Sequence, residues 1–274
     1  MRYRPDLTCP DPGQKLDLWL PDASPRAVLL YLHGGGFVKG SRDDPAAWRL
    51  ADQLCGDGVV VASADYRLGT QMEDLPPADR LPMWRLMEAS GRAGLTVSQR
   101  LYGPAFGAAL FDASAAVLAL RFGTVLPQTR GLPLFVVGMS AGGILGLSLA
   151  HPPAQWQKRL ARPDGVVALA AAMVQPWAMR PMAPPCVMLH GRGDRVIDIA
   201  NPRLAATIAR RRGAPLRVVE SGVRGHNAQI STFLEGAAPD GRPWLSLLTD
   251  MMASTNVNTA GSTAQRGAET EFAP

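Results

Sequence analysis

Leu134-Phe135-Val136-Val137-Gly138-Met139-Ser140-Ala141-Gly142-Gly143 is the stretch on which the fold of this chain turns. Its first four residues predict a buried strand, and the apolar run from Ala141 to Ala150 predicts a helix. Between them lies G-x-S-x-G, a turn between strand and helix that lifts a serine side chain above the edge of a sheet. Small residues permit so sharp a turn, and the Ala141 amide and the helix N-terminus then face any oxyanion formed beside Ser140. Alone, the pattern occurs fairly often by chance in a chain with 28 glycines. The flanking strand and helix make Ser140 a candidate nucleophile rather than part of a plain tight turn.

Outward from this stretch, short apolar runs alternate with helical ones. Strands are predicted over 16–20, 27–32, 59–63, 166–171, 187–189 and 216–220, and helices over 45–55, 106–122, 202–212 and 243–252. Gly56 and Gly213 stand just past two helices, where a C-terminal glycine is expected. The strands are continuously apolar rather than alternating, as in strands covered on both faces. The order predicts an α/β fold with a mainly parallel central sheet flanked by helices. Two segments fall outside it. Residues 68–104 are long for a connection and rich in Pro, Gly, Met and Arg, which reads as an inserted cap. Residues 253–274 are polar and read as a flexible tail.

Composition narrows the class. A chain of 274 residues with 47% hydrophobic and 19% charged side chains is a folded globular protein of one domain or at most two, not a disordered or fibrous one. Its most continuous apolar stretch, Val166 to Val174, is far short of the roughly 20 residues that cross a bilayer. The first residues lack the apolar core of a secretory signal. A net charge of +5 invites a nucleic-acid partner. Yet of 28 basic residues three are lysines (Lys15, Lys39, Lys158), and the remaining 25 arginines are scattered. The one run, Arg210-Arg211-Arg212, closes a helix, where cations complement the dipole. Cys9, Cys55 and Cys186 are widely spaced and odd in number, which suggests a reducing, cytoplasmic compartment and no metal-ligand set.

A second functional signal is His33-Gly34-Gly35-Gly36-Phe37, after the strand that ends at Leu32. Three glycines can turn backbone amides inward and donate two hydrogen bonds to the oxygen of a tetrahedral intermediate. No Lys-Ser or Lys-Thr pair follows, so a phosphate loop is disfavoured. A serine nucleophile needs a base, usually a histidine held by a carboxylate. Four histidines permit elimination. His33 belongs to the glycine loop. His151 lies eleven positions along the helix from Ser140, about 16 Å away. His190 shapes the turn of His190-Gly191-Arg192-Gly193-Asp194. His226, in a glycine-bearing loop after the last predicted strand, remains. Asp194, at a strand's carboxyl end, is favoured as the acid over Asp198, which is placed to cap the next helix. The chain order Ser140, Asp194, His226 is that of one hydrolase class.

Taken together, these motifs resemble the α/β-hydrolase superfamily, specifically its HGGG-type esterases and lipases, hormone-sensitive-lipase-like or carboxylesterase-like. The matching features run from Leu16 to Met252 and include Gly40 after the glycine loop and Asp65-Tyr66-Arg67. The resemblance implies an α/β-hydrolase domain over 1–252, an oxyanion hole of the Gly35, Gly36 and Ala141 amides, and a structural role for Asp65, Tyr66 and Arg67. The chain departs from the hormone-sensitive-lipase-like pattern at Met139, where an acidic residue is usual, and in the stretch from Gly69 to Tyr102.

That stretch is where specificity is expected. Met83, Leu86 and Met87 fall at i, i+3 and i+4, on one helix face. Met83, Trp84, Met87, Phe37 and Met139 are the expected substrate contacts, with Arg80, Arg85, Arg92 or Arg100 available for an anionic substrate group. The expected activity is cleavage of a carboxylic ester of a small or medium-sized molecule through an acyl-enzyme, without metal or organic cofactor. Amidase, arylformamidase-like, peptidase-like or acyltransferase chemistry would need the same triad, and a non-catalytic ligand-binding protein would more commonly have lost part of it.

Overall fold

The computed structural model describes residues 2–3 and 15–255. Among these residues eight strands form one sheet: β1 (Arg2–Tyr3), β2 (Leu16–Trp19), β3 (Ala27–Leu32), β4 (Val59–Ala64), β5 (Leu134–Met139), β6 (Gly165–Leu169), β7 (Cys186–Gly193) and β8 (Leu216–Arg224). Their spatial order is β1-β2-β4-β3-β5-β6-β7-β8. The pairs β1/β2 and β2/β4 are antiparallel, and β4, β3 and β5 to β8 run parallel. Every residue of β3 to β6 is buried, which explains why their sequences show no in-out alternation.

Among the described residues seven helices cover the sheet: α1 (Pro45–Leu54), α2 (Pro77–Gly91), α3 (Pro104–Arg121), α4 (Ala141–Ala150), α5 (Ala200–Arg212), α6 (Ala228–Glu235) and α7 over 246–255. Side chains of α2 to α5 pack in one apolar cluster, and those of α1, α6 and α7 in a second on the other face. All ten residues of α4 are buried, as expected of a helix apolar all round. The 18-residue α3 is also long and apolar enough to cross a membrane by length and composition. It is mostly buried here, and its one acidic residue, Asp112, is paired with Arg67. Asp112, Ser114 and small residues interrupt its sequence, so it contains no long unbroken apolar run.

Several boundaries move for local reasons. α1 passes into a 3-10 turn at Cys55–Asp57, and Gly58 (φ 76°), not Gly56, ends it in the left-handed conformation. Gly213 (φ 65°) ends α5 as expected. Residues 253–255 belong to α7, which corrects the start of the expected tail; the rest of the tail lies outside the described residues. Cys55 and Cys186 are free thiols, and Cys9 also lies outside the described residues.

The 68–104 segment is held to the body of the protein at separate points. Asp79 of α2 is buried and pairs with Arg159, its Oδ2 lying 3.0 Å from Nη2, and accepts from Trp156 Nε1 at 3.2 Å. Ser90 Oγ donates to the Val174 carbonyl at 2.9 Å. Thr96 and Asn201 of α5 exchange two hydrogen bonds of 2.9 Å. Met83, Leu86 and Leu101 are buried in the main core. The segment is thus part of the core.

His151 closes α4, fully buried, with its Nε2 at 3.8 Å from Cys186 Sγ. Burial, helped by Arg180 and Arg162, pushes its imidazole down to about 4. The unfolded chain therefore takes up a proton near the ordinary value of about 6.5 that the native state refuses. The stabilisation is complete above that value and is lost as the pH falls towards about 4. His151→Leu should reduce the pH 7 to pH 4.5 difference in unfolding free energy by about 2 kcal/mol, measured by urea denaturation.

Candidate active site

The turn at Ser140 is set by contacts that exclude side chains. A Cβ on Gly138 would collide with the Gly142 backbone, and one on Gly142 with the carbonyls of Leu32 and His33 at the end of β3. Both glycines of G-x-S-x-G are thereby required. Ser140 takes φ 53° and ψ −113°, a conformation that costs a non-glycine residue about 1–3 kcal/mol. It is held there by Ser140 N–H donating to the Leu169 carbonyl at 2.8 Å and by Ile144 N–H donating to its own carbonyl at 3.0 Å.

The glycine loop lies against this turn. Gly34 faces the Met139 carbonyl at 3.4 Å and the Ser140 Cβ at 3.6 Å, both measured from its own missing Cβ. Gly35 (φ 112°), Gly36 (φ 62°) and Phe37 (φ 64°) form a left-handed run. The amides of Gly35, Gly36 and Ala141 donate to no other group among the described residues. The loop is braced from below. His33 is buried, stacks on Tyr66 with centroids 4.1 Å apart, and its Nδ1 lies 2.7 Å from the Gly34 carbonyl. Burial lowers the His33 pKa, so Nδ1–H donates from a neutral ring. Gly40 is needed because a Cβ there would strike the His33 ring.

Asp65, Tyr66 and Arg67 reach three different elements. Asp65 accepts from the Arg42 amide at 2.7 Å and pairs with its guanidinium. Tyr66 Oη donates to the His33 carbonyl at 2.7 Å. Arg67 forks onto Asp112 of α3 with contacts of 2.7 and 2.9 Å.

The histidine and acid selected from sequence meet the serine. His226 Nε2 lies 2.8 Å from Ser140 Oγ, and its Nδ1 lies 2.8 Å from Asp194 Oδ2. Asp194 is buried, and its Oδ1 accepts from the amides of Val196 (2.8 Å) and Ile197 (3.1 Å). Burial pushes the Asp194 carboxyl up, but His226 and these amides outweigh it and leave the pKa lowered. His190 is fully buried, with Nε2 2.8 Å from the Ile197 carbonyl and 3.5 Å from Asp194 Oδ2, so it closes the acid turn. Asp198 is exposed and accepts from the Ala200 amide at the start of α5. No group of three metal-ligating side chains occurs among the described residues.

The expected substrate contacts fare differently. Phe37 is fully buried, edge-on to Phe106 and Tyr66, where it wedges the glycine loop onto α3. Met83 is also fully buried, against the open face of Gly107. Neither presents a surface to substrate, because the apolar face read as a pocket wall is packed into the core. Trp84 projects into solvent from α2, and Met87 packs partly against the core. Met139 is 6% exposed beside Gly34. Among the candidate arginines, Arg80 donates to the carbonyls of Leu75 and Glu73, Arg92 pairs with Glu88, and Arg85 is exposed. Arg100 lies against Gly36, which sequence spacing could not have singled out.

Sheet order, serine turn and the loops at the carboxyl edge of the parallel strands define an α/β-hydrolase fold. Native esterase 2 from the Planctomycetes species Thermogutta terrifontis has it, with a TM-score of 0.60 at 17% identity over 88% of each chain. Its paraoxon-phosphorylated form matches at 0.56 and 17% identity, over 88% of this chain and 86% of that one. Its butyrate-bound form matches at 0.57 and 16% identity, over 90% and 89%. In sequence, an ethyl acetate hydrolase from Pseudomonas putida is 39% identical over 111 residues, 38% of this chain and 33% of that relative. The match thus spans about a third of the relative's length. No protein-family model matches the sequence.

Gly142→Ala tests the close approach. A methyl group directed at two backbone carbonyls has no flexible neighbour to displace, so soluble yield or thermal midpoint should fall, and any folded fraction should lose Ser140 reactivity. Gly56→Ala, at a position with open space around it, is the control.

Proposed function

We propose that this chain is a serine hydrolase of the HGGG esterase type that cleaves carboxylic esters through an acyl-enzyme. The observation that carries this reading is the continuous hydrogen-bonded path Ser140, His226, Asp194, with 2.8 Å at both links. His226 Nε2 takes the proton as Ser140 Oγ attacks the carbonyl, while Asp194 holds Nδ1–H and stabilises the imidazolium that forms. The amides of Gly35, Gly36 and Ala141 receive the developing oxyanion. His226 then protonates the leaving alcohol, and the same histidine activates water to release the acid and restore Ser140.

A short acyl group is the favoured substrate part. The neighbour esterase was captured with butyrate and with propionate, and the sequence relative is named for ethyl acetate. Val38 and Leu68 are exposed next to Phe37 and Gly69, whose backbones are joined by the 2.8 Å bond from Gly69 N–H to the Phe37 carbonyl, and they offer apolar contact near the glycine loop.

Hydrolysis of p-nitrophenyl esters from acetate to decanoate should peak at short chains. Ser140→Ala should lower kcat/KM by about 10³-fold or more. Paraoxon should phosphorylate the wild-type protein once and leave the Ser140→Ala variant unmodified by mass spectrometry. Equal turnover by that variant would remove the assignment.

A further inference from the structure

Most arginines in this fold that approach another element do so to meet a carboxylate or a carbonyl. Arg42 meets Asp17 and Asp65, Arg67 meets Asp112, Arg121 meets Asp164 and Arg203 meets Glu220. Arg100 departs from this. It sits in the 3-10 turn Gln99–Tyr102, and its guanidinium lies on the glycine loop: Nη2 is 2.9 Å and Cζ 3.4 Å from the point where a Cβ on Gly36 would stand. Arg100 is exposed, and no carboxylate among the described residues pairs with it. On the neighbouring glycine the stem of Lys39 packs, with Cγ 3.2 Å from the corresponding point on Gly35. Lys39 is likewise exposed and without a carboxylate partner among the described residues.

Two uncompensated cations therefore flank the loop whose amides face the reacting carbonyl. We propose that Arg100 is a specificity-determining residue that binds a carboxylate on the substrate, so that the preferred esters are anionic half-esters of short dicarboxylic acids. The proposal rests on the serine hydrolase reading for its chemistry but not for the binding itself. A carbonyl held by the Gly35 and Gly36 amides stands about one hydrogen-bond length, ~3 Å, from that backbone. A carboxylate about two to four carbons further along the acyl chain then spans the distance to the guanidinium. A guanidinium is suited to this task because its planar fork offers a carboxylate two parallel donors. Gly36 contributes by having no side chain: any other residue would displace the guanidinium from the loop. Lys39 adds to the local positive potential that draws an anion to the site.

The test compares monomethyl glutarate with methyl pentanoate, alike in chain length and different in charge. For the wild-type protein, the ratio of kcat/KM values should favour the half-ester. Arg100→Gln should lower that ratio at least tenfold, chiefly through KM, and Arg100→Lys should restore part of it. Added NaCl should erode the wild-type ratio more than that of Arg100→Gln. An unchanged ratio, or an equal loss on both esters, would overturn the proposal, since a packing role alone affects both alike. Binding provides a second readout independent of turnover. Calorimetric titration of Ser140→Ala with monomethyl glutarate should give a Kd at least tenfold tighter than that of Ser140→Ala/Arg100→Gln, and no difference would again overturn it. If both esters are hydrolysed and neither rate depends on Arg100, this inference fails and the esterase reading stands. If neither ester is hydrolysed but the half-ester binds through Arg100, the esterase reading fails and the anion site stands.

Discussion

The helix that begins at Ala141 approaches the end of β3 so closely that no atom fits between Gly142 and the carbonyls of Leu32 and His33. Most of the site's geometry depends on that contact. It brings the first turn of α4 to the strand that delivers the glycine loop, so Ser140 and the Gly35 and Gly36 amides are registered backbone to backbone. Ser140 is left in a strained backbone conformation, which the fully buried α4 on one side and the Leu169 carbonyl on the other can sustain. A strained residue persists only where its surroundings over-determine it, and here three parallel strands, β3, β5 and β6, end at the same place.

The second support is the chain from Asp65 to Arg67. Three consecutive residues tie the carboxyl end of β4 to the loop after β3, to the His33 carbonyl and to α3. Asp112 is buried to 1% exposure within a largely apolar helix, and an unpaired carboxylate there would cost several kcal/mol. The pair adds less to stability than a well-packed apolar pair of the same size could. What it does is make one position of α3 against the loop far better than its neighbours. Phe37, wedged between Tyr66 and Phe106, passes that placement on to the glycine loop.

These features differ in how far sequence revealed them. The parallel strands were legible because burial on both faces leaves unbroken apolar runs, as in Ala27-Val28-Leu29-Leu30. The hydrogen-bonded grouping of Ser140, His226 and Asp194 was legible because a nucleophile, a base and an acid each demand particular residue types near strand ends, and only four histidines competed. α2 was legible only as the Met83, Leu86, Met87 face, since Pro76, Pro77 and Pro82 read as loop; the first two open the helix and the third lies inside it. α6 was missed: its eight residues carry Ile230 and Thr232 and follow a glycine-bearing loop, so local propensity gave little helix signal. Phe37 and Met83 were assigned to the wrong side of the wall because an apolar side chain near a site looks the same in sequence whether it faces the substrate or the core. The contact of Arg100 with Gly36 joins positions 64 residues apart and leaves no local pattern.

The packing of residues 68–104 decides where selectivity can reside. Swinging this segment away as a lid would break the Asp79, Ser90 and Thr96 tethers and expose Met83, Leu86 and Leu101. The apolar loss alone, at about 1.5–3 kcal/mol for each side chain, comes to roughly 5–9 kcal/mol. An open state at that height is populated well below one part in a thousand and cannot serve as the usual route of substrate entry. Discrimination then has to come from surfaces already exposed at the carboxyl edge of the sheet. Those surfaces carry Val38 and Leu68 beside the glycine loop, Val196 in the acid turn, and the cations of Arg100 and Lys39. On the proposed reading, an apolar rim with positive charge set into it suits a short hydrocarbon chain that ends in an anion. It suits a long neutral chain less, because such a chain would have to run across Lys39 and Arg100 and leave their charges partly desolvated without a partner.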